Sequence, residues 1–195
     1  MTALPEPLMD TWSMVALGAT VGVMGTAFVS DIRYGRIPNK LTYPAILAGV
    51  ALGFMTGGTE GMWSSFAGFA LGFGILFLGM MFGGIGGGDV KLAGALGALV
   101  GLPVAALGLL YMCLCSGAMA LGILIWKGKF LASLRRIGRY MFTSLLPFLE
   151  TEELKEEDSD PFPLGVAIVV GFAWAMIETH FGAAPLLEIS LQGAS

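Results

Sequence analysis

Six apolar runs, at residues 11–30, 41–55, 62–83, 86–101, 103–126 and 163–181, account for most of the chain. The longer ones reach the roughly 17–25 residues that an α-helix needs to cross a bilayer. The second and fourth are short, and a Gly101-Leu102-Pro103 break divides the fourth from the fifth. With 56% hydrophobic and 12% charged residues over 195 positions, the composition is not that of a soluble domain. The expected fold is an all-α integral membrane protein: a six-transmembrane-helix bundle forming one domain over residues 1–195. The first ten residues are acidic and lack the positive region of a secretory signal, so the first run reads as a retained span.

Small residues four apart recur as Gly18/Gly22, Gly49/Gly53, Gly68/Gly72, Gly79/Gly83 and Gly97/Gly101. In lipid, where apolar surface alone does not drive helices together, such pairs let backbones approach closely. The first four helices are therefore expected to form the tightly packed core. Cys113 and Cys115 lie about 200° apart around a helix and cannot bridge locally. The single histidine, His180, falls at the end of the last run and reads as an interfacial residue. No metal site and no cofactor are expected from this residue set, and no nucleic-acid partner.

All ten basic residues fall in or beside alternate connections. Arg33, Arg36 and Lys40 follow the first run, and Lys91 stands beside the third connection. Lys127, Lys129, Arg135, Arg136, Arg139 and Lys155 lie in the fifth. By the positive-inside rule these connections face the cytoplasm and both termini lie outside. Residues 127–149 place Phe130, Leu131, Leu134, Ile137, Met141 and Leu145 at helical spacing with the basic residues largely elsewhere on the wheel. That pattern predicts an amphipathic helix on the cytoplasmic surface of the bilayer, an anchor or a substrate-docking element. Residues 150–160 carry seven acids and one lysine, and read as a solvated linker or an electrostatic trap for a basic segment.

Against this background two acids stand out. Asp31 ends the first run in SDIRYGRIPNK, and Asp89 follows three consecutive glycines, Gly86, Gly87 and Gly88, at the start of the fourth. An acid that persists in or near lipid is a functional-site hypothesis by default. The topology brings both to the cytoplasmic face, 58 residues apart in sequence. Taken singly, Asp31 also fits an ion pair with Arg33 or Arg36, and Asp89 fits a pair with Lys91 or a helix-capping role. Taken together, two carboxylates in one low-dielectric site cannot both ionise readily, so the pair offers a base to activate water and an acid to protonate a carbonyl. The glycines before Asp89 leave room for an extended peptide backbone.

Gly86-Gly87-Gly88-Asp89 resembles the Gly-x-Gly-Asp signature of intramembrane aspartyl proteases. Asp89-Val90-Lys91-Leu92, and Asp31 followed by Arg33 and then Arg36-Ile37-Pro38-Asn39, resemble the type IV prepilin peptidase branch. Pro161–Ala167 is similar to the element that opens that family's last helix, with its glycine two positions late, and no catalytic role is carried over to it. The resemblance implies a membrane-embedded aspartic endopeptidase with Asp31 and Asp89 as the catalytic pair. Gly86, Gly87, Gly88, Lys91, Arg36, Pro38 and Asn39 would be supporting or substrate-binding residues. The implied substrate is a type IV pilin-like precursor, cut after its basic leader at the cytoplasmic face of the prokaryotic inner membrane. Without a preceding cysteine-rich zinc extension, the chain resembles the short, peptidase-only form seen with Tad/Flp-type pili and preflagellins, for which no methyltransferase activity is expected. The alternative reading of the same acids is a small proton- or cation-coupled transporter, and a further one is a non-catalytic subunit of a secretion assembly.

Overall fold

A computed structural model describes residues 11–82, 85–128 and 164–181. Among these residues every regular element is an α-helix: α1 (Thr11–Tyr34), α2 (Asn39–Met81), α3 (Gly87–Trp126) and α4 (Leu164–Phe181). α1, α2 and the Gly87–Ile123 part of α3 are long and apolar enough to cross a membrane, whereas the apolar part of α4, Leu164–Thr179, is shorter. Helices suit such sequences because they satisfy their backbone polar groups internally. The predicted amphipathic stretch 127–149 (beyond Gly128), the acidic stretch 150–160 and the Pro161–Pro163 lead into α4 lie outside the described residues, as does Gly83. The chain divides into two units, one comprising Met1–Cys113 with Pro163–Ser195 and the other Leu114–Phe162. In the second unit, α3 ends at Trp126, and Gly128 follows with φ +64°.

Two of the expected helix boundaries are internal breaks instead of loops. Within α2 the backbone leaves helical geometry at Gly58 (φ 60°, ψ −141°). Eight residues of straight helix would hold Gly53 and Gly61 about 12 Å apart, yet a Cβ on Gly61 would collide with the Gly53 carbonyl oxygen. The chain therefore reverses there into two arms, 39–57 and 59–81. Within α3 the break falls at Gly101 (φ 77°, ψ 171°), two residues before Pro103, where the sequence places a boundary. Pro103 cannot donate to a helix ladder, and the neighbouring Leu102 N–H is satisfied by Ser64 Oγ at 3.1 Å.

The first arm of α3 is the centre of the larger unit. Val90 and the whole run from Leu92 to Leu99 are buried, as expected of a helix that is apolar on all sides. Glycine sets how close its neighbours come. A Cβ on Gly49 would lie 2.7 Å from the Ala98 carbonyl carbon, and one on Gly72 would lie 2.5 Å from the Ala93 oxygen. Gly68 and Gly97 meet backbone to backbone. The second arm of α3 packs in the same manner on α4, where Gly108 receives the Phe172 ring and Gly171 touches the Met112 backbone. The expectation of a glycine-packed core holds for Gly49, Gly68, Gly72 and Gly97 but not for Gly18 and Gly22, and the close packing at Gly108 and Gly171 lies outside the four helices expected to form it. Gly18 and Gly22 are exposed, and a methyl group added to either would meet nothing within 4 Å, because α1 buries its other face through Thr20, Met24 and Ala27.

One buried polar pair was not legible in the sequence. Tyr111 on α3 donates its hydroxyl to Glu178 Oε2 on α4, and both residues are only 6% exposed. The other carboxyl oxygen, Oε1, is buried without a hydrogen-bond partner. Tyr111 is thus the group that offsets the cost of burying Glu178.

Two stability predictions follow from these contacts. Gly68→Ala puts a methyl against the Gly97 and Gly101 backbone and is expected to lower unfolding stability in mixed micelles by about 1–3 kcal/mol, while Gly18→Ala is neutral or slightly stabilising. Tyr111→Phe leaves Glu178 without its donor and is expected to cost about 1–3 kcal/mol in the same measurement.

Candidate active site

One end of the larger unit gathers the C-terminus of α1 and the N-termini of α2, α3 and α4. α1 continues one turn beyond the expected Ser30, so Asp31 sits within the helix and Arg33 in its last turn. The turn closes with the Gly35 N–H bonded to the Asp31 carbonyl at 2.8 Å, and Gly35 takes φ +58°, a conformation that glycine adopts without a Cβ penalty. Ser30 Oγ then donates to the Arg36 carbonyl at 2.7 Å and folds the following loop back on the helix. Pro38 takes an extended conformation (φ −72°, ψ 134°) as the N-cap of α2 and makes no side-chain cap bond. Asn39 opens the helix and turns its side chain elsewhere.

That side chain accepts a hydrogen bond from Lys91 Nζ at 2.9 Å, and the same ammonium stands 5.3 Å from the centre of the Tyr43 ring. Such a cation over a ring face is attracted by the ring quadrupole. Lys91 thus links the first turns of α2 and α3 two residues past Asp89. Gly88 makes the second link, since a Cβ there would come within 3.3 Å of Ile37 Cβ, and Ile37 is buried. Gly86 makes the third contact. Its carbonyl accepts the Asp89 N–H at 3.1 Å, and a Cβ on it would lie 3.1 Å from Asp89 Oδ2. The space beside Gly87 is bordered by Met80 Sδ, 3.7 Å from a Cβ placed there.

Both acids are half-buried, and they lie close enough for their charges to interact. Asp31 Oδ2 accepts the backbone N–H of Val166, in the first turn of α4, at 3.2 Å. Gly165 presses on the same carboxyl group. Around Asp89 the site brings Gly86 onto the acid itself, Gly88 onto Ile37 and Lys91 onto Asn39, while the Asp31 carboxyl group meets Gly165 and Val166. The Arg36 side chain is exposed and joins the cluster through its carbonyl. Gly165 and Val166 were missed as site residues. The signal available was the proline-flanked glycine of Pro161–Ala167, whose spacing departs from the family element.

Chemically, the arrangement offers two half-buried carboxyl groups from different helices, one of them held by a backbone donor, at the end of an apolar bundle. No curated protein and no solved structure matches the chain. The family model of the type IV leader peptidases matches residues 10–121, more than half of the chain and a span that includes both Asp31 and Asp89. This match is to a hydrolase family and lends no support to the transporter reading. The chain belongs to the type IV leader peptidase family, and is a peptidase of the membrane-protein type.

Proposed function

We propose that the protein is an aspartic endopeptidase that removes the leader of type IV pilin-like precursors, with Asp31 and Asp89 as its catalytic pair. What supports this reading is the placement of those two acids, from α1 and α3, at one helix-end cluster inside the family-matched span. The distribution of the ten basic residues supports a cytoplasmic site, six membrane crossings and termini on the outer side. The setting is the inner membrane of a prokaryote.

The reaction needs one proton shared by the pair. The unprotonated carboxylate takes a proton from water as the oxygen attacks the scissile carbonyl carbon, while the other aspartic acid gives its proton to the carbonyl oxygen. A neutral tetrahedral diol results. In the second half, the first acid returns its proton to the amide nitrogen and the C–N bond breaks. The other carboxylate recovers a proton from a diol hydroxyl, which restores the starting pair. Gly86 keeps a side chain away from the Asp89 carboxyl group and so leaves its approach open to a peptide backbone, while Gly88 lets α3 pack closely on Ile37. Lys91, through Asn39 and Tyr43, keeps the first turn of α3 in register with α2.

With purified protein in detergent or vesicles and a panel of pilin-like precursors, the wild type is expected to release the leader. Asp31→Asn and Asp89→Asn are each expected to fall by at least about a hundredfold, with folding unchanged by circular dichroism. Cleavage by either variant at the wild-type rate, or none by the wild type across the panel, contradicts the proposal.

A further inference from the structure

We infer that the first turn of α4 is the seat that positions Asp31: Gly165 and the Val166 N–H fix one carboxylate oxygen and leave the other for the reaction. The inference deepens the peptidase reading and rests on it for its catalytic consequence, though not for the seat itself.

Two observations carry it. The Val166 N–H donates to Asp31 Oδ2 at 3.2 Å across 135 residues of sequence. As one of the first N–H groups of α4, it has no carbonyl partner within its own helix and is free to serve Asp31. Independently, a Cβ at Gly165 would stand 2.6 Å from Asp31 Oδ2 and 2.8 Å from Cγ. No backbone atom stands among the nearest neighbours of that position, only the Asp31 side chain. A methyl group there could be accommodated by turning the carboxyl group aside, without moving a helix.

This distinguishes Gly165 from the glycines of the core. At Gly68 or Gly72 an added methyl meets backbone, so the fold must yield. At Gly165 the fold can stay and the acid must yield. Gly165 lies in a helix without positive φ, so alanine there also improves helix propensity. The absence of a side chain is therefore a requirement of Asp31 placement and not of α4. The Val166 N–H occupies an acceptor site of Oδ2, and in this inference Oδ1 is the oxygen left to serve the reaction. Gly165 and Val166 act through Asp31 and are positioning residues. Both lie beyond the family-matched span of residues 10–121.

The test compares wild type, Gly165→Ala, Val166→Pro, Val166→Leu and Asp31→Asn. Proline at the third residue of α4 deletes the N–H without removing an intrahelical bond, while leucine keeps it. In precursor cleavage, Gly165→Ala and Val166→Pro are expected to lower kcat by about tenfold to a hundredfold, the scale of a small misplacement of a catalytic group. KM stays near the wild-type value, and Val166→Leu cleaves normally. The unfolding midpoint of Gly165→Ala is unchanged or raised. In protein carrying 13C-carboxyl aspartate, the Asp31 signal, assigned by its loss in Asp31→Asn, moves in Gly165→Ala and Val166→Pro but not in Val166→Leu. A Gly165→Ala enzyme with wild-type kcat and an unmoved Asp31 signal overturns the seat, and so does a loss of activity that follows a lowered midpoint. If wild type cleaves no precursor, or Asp31→Asn cleaves as well as wild type, the peptidase role of Asp31 fails instead. The carboxyl signal then decides the seat alone.

Discussion

At Gly68, Gly97 and Gly72 the backbones of α2 and α3 meet with no side chain between them. In lipid this contact is what holds helices together, because apolar surface gains nothing by leaving one hydrocarbon for another and association depends on close packing and on polar contacts. The first arm of α3 is thereby fixed among the arms of α2, and its N-terminal end, with Asp89, is fixed with it. A larger residue on that face would separate the helices and loosen every contact at their ends, from Gly88 against Ile37 to Lys91 against Asn39.

Buried threonines such as Thr20 and Thr42 return their hydroxyls to nearby backbone carbonyls, whereas three other polar contacts of the bundle join elements distant in sequence. Ser64 receives the N–H freed near the Gly101 break, Tyr111 reaches Glu178, and Val166 reaches Asp31. An orphaned polar group in a low-dielectric surrounding is costly, so each of these bonds specifies one arrangement of its helices. Glu178 is only partly served, since Oε1 has no partner.

Close packing and polar contact divide the labour between glycines. Those facing backbone serve the fold, and Gly165, facing a carboxyl group, serves the site. Gly18 and Gly22 do neither within the chain, although their spacing is that of a packing motif. Spacing states that a close approach is possible, and the partner helix decides whether it happens.

Much of the fold was legible because composition and period act locally. Apolar length implied helices, Gly101 with Pro103 implied a break, and the glycine-flanked Asp89 and the Asp31 segment marked the acids and their family. The reversal at Gly58 was legible only as a gap between two runs, since its geometry depends on Gly53 and Gly61 meeting across it. The role of Asn39 was not legible because its partner, Lys91, is 52 residues away. The sequence by itself determined an apolar helical protein with two exceptional acids at helix ends. Only the tertiary structure decided that α4 touches Asp31, that Tyr111 meets Glu178 and that α1 turns its glycines outward. Each of these depends on which face of a helix meets which neighbour, and that is set by packing among distant segments and not by any local run of residues.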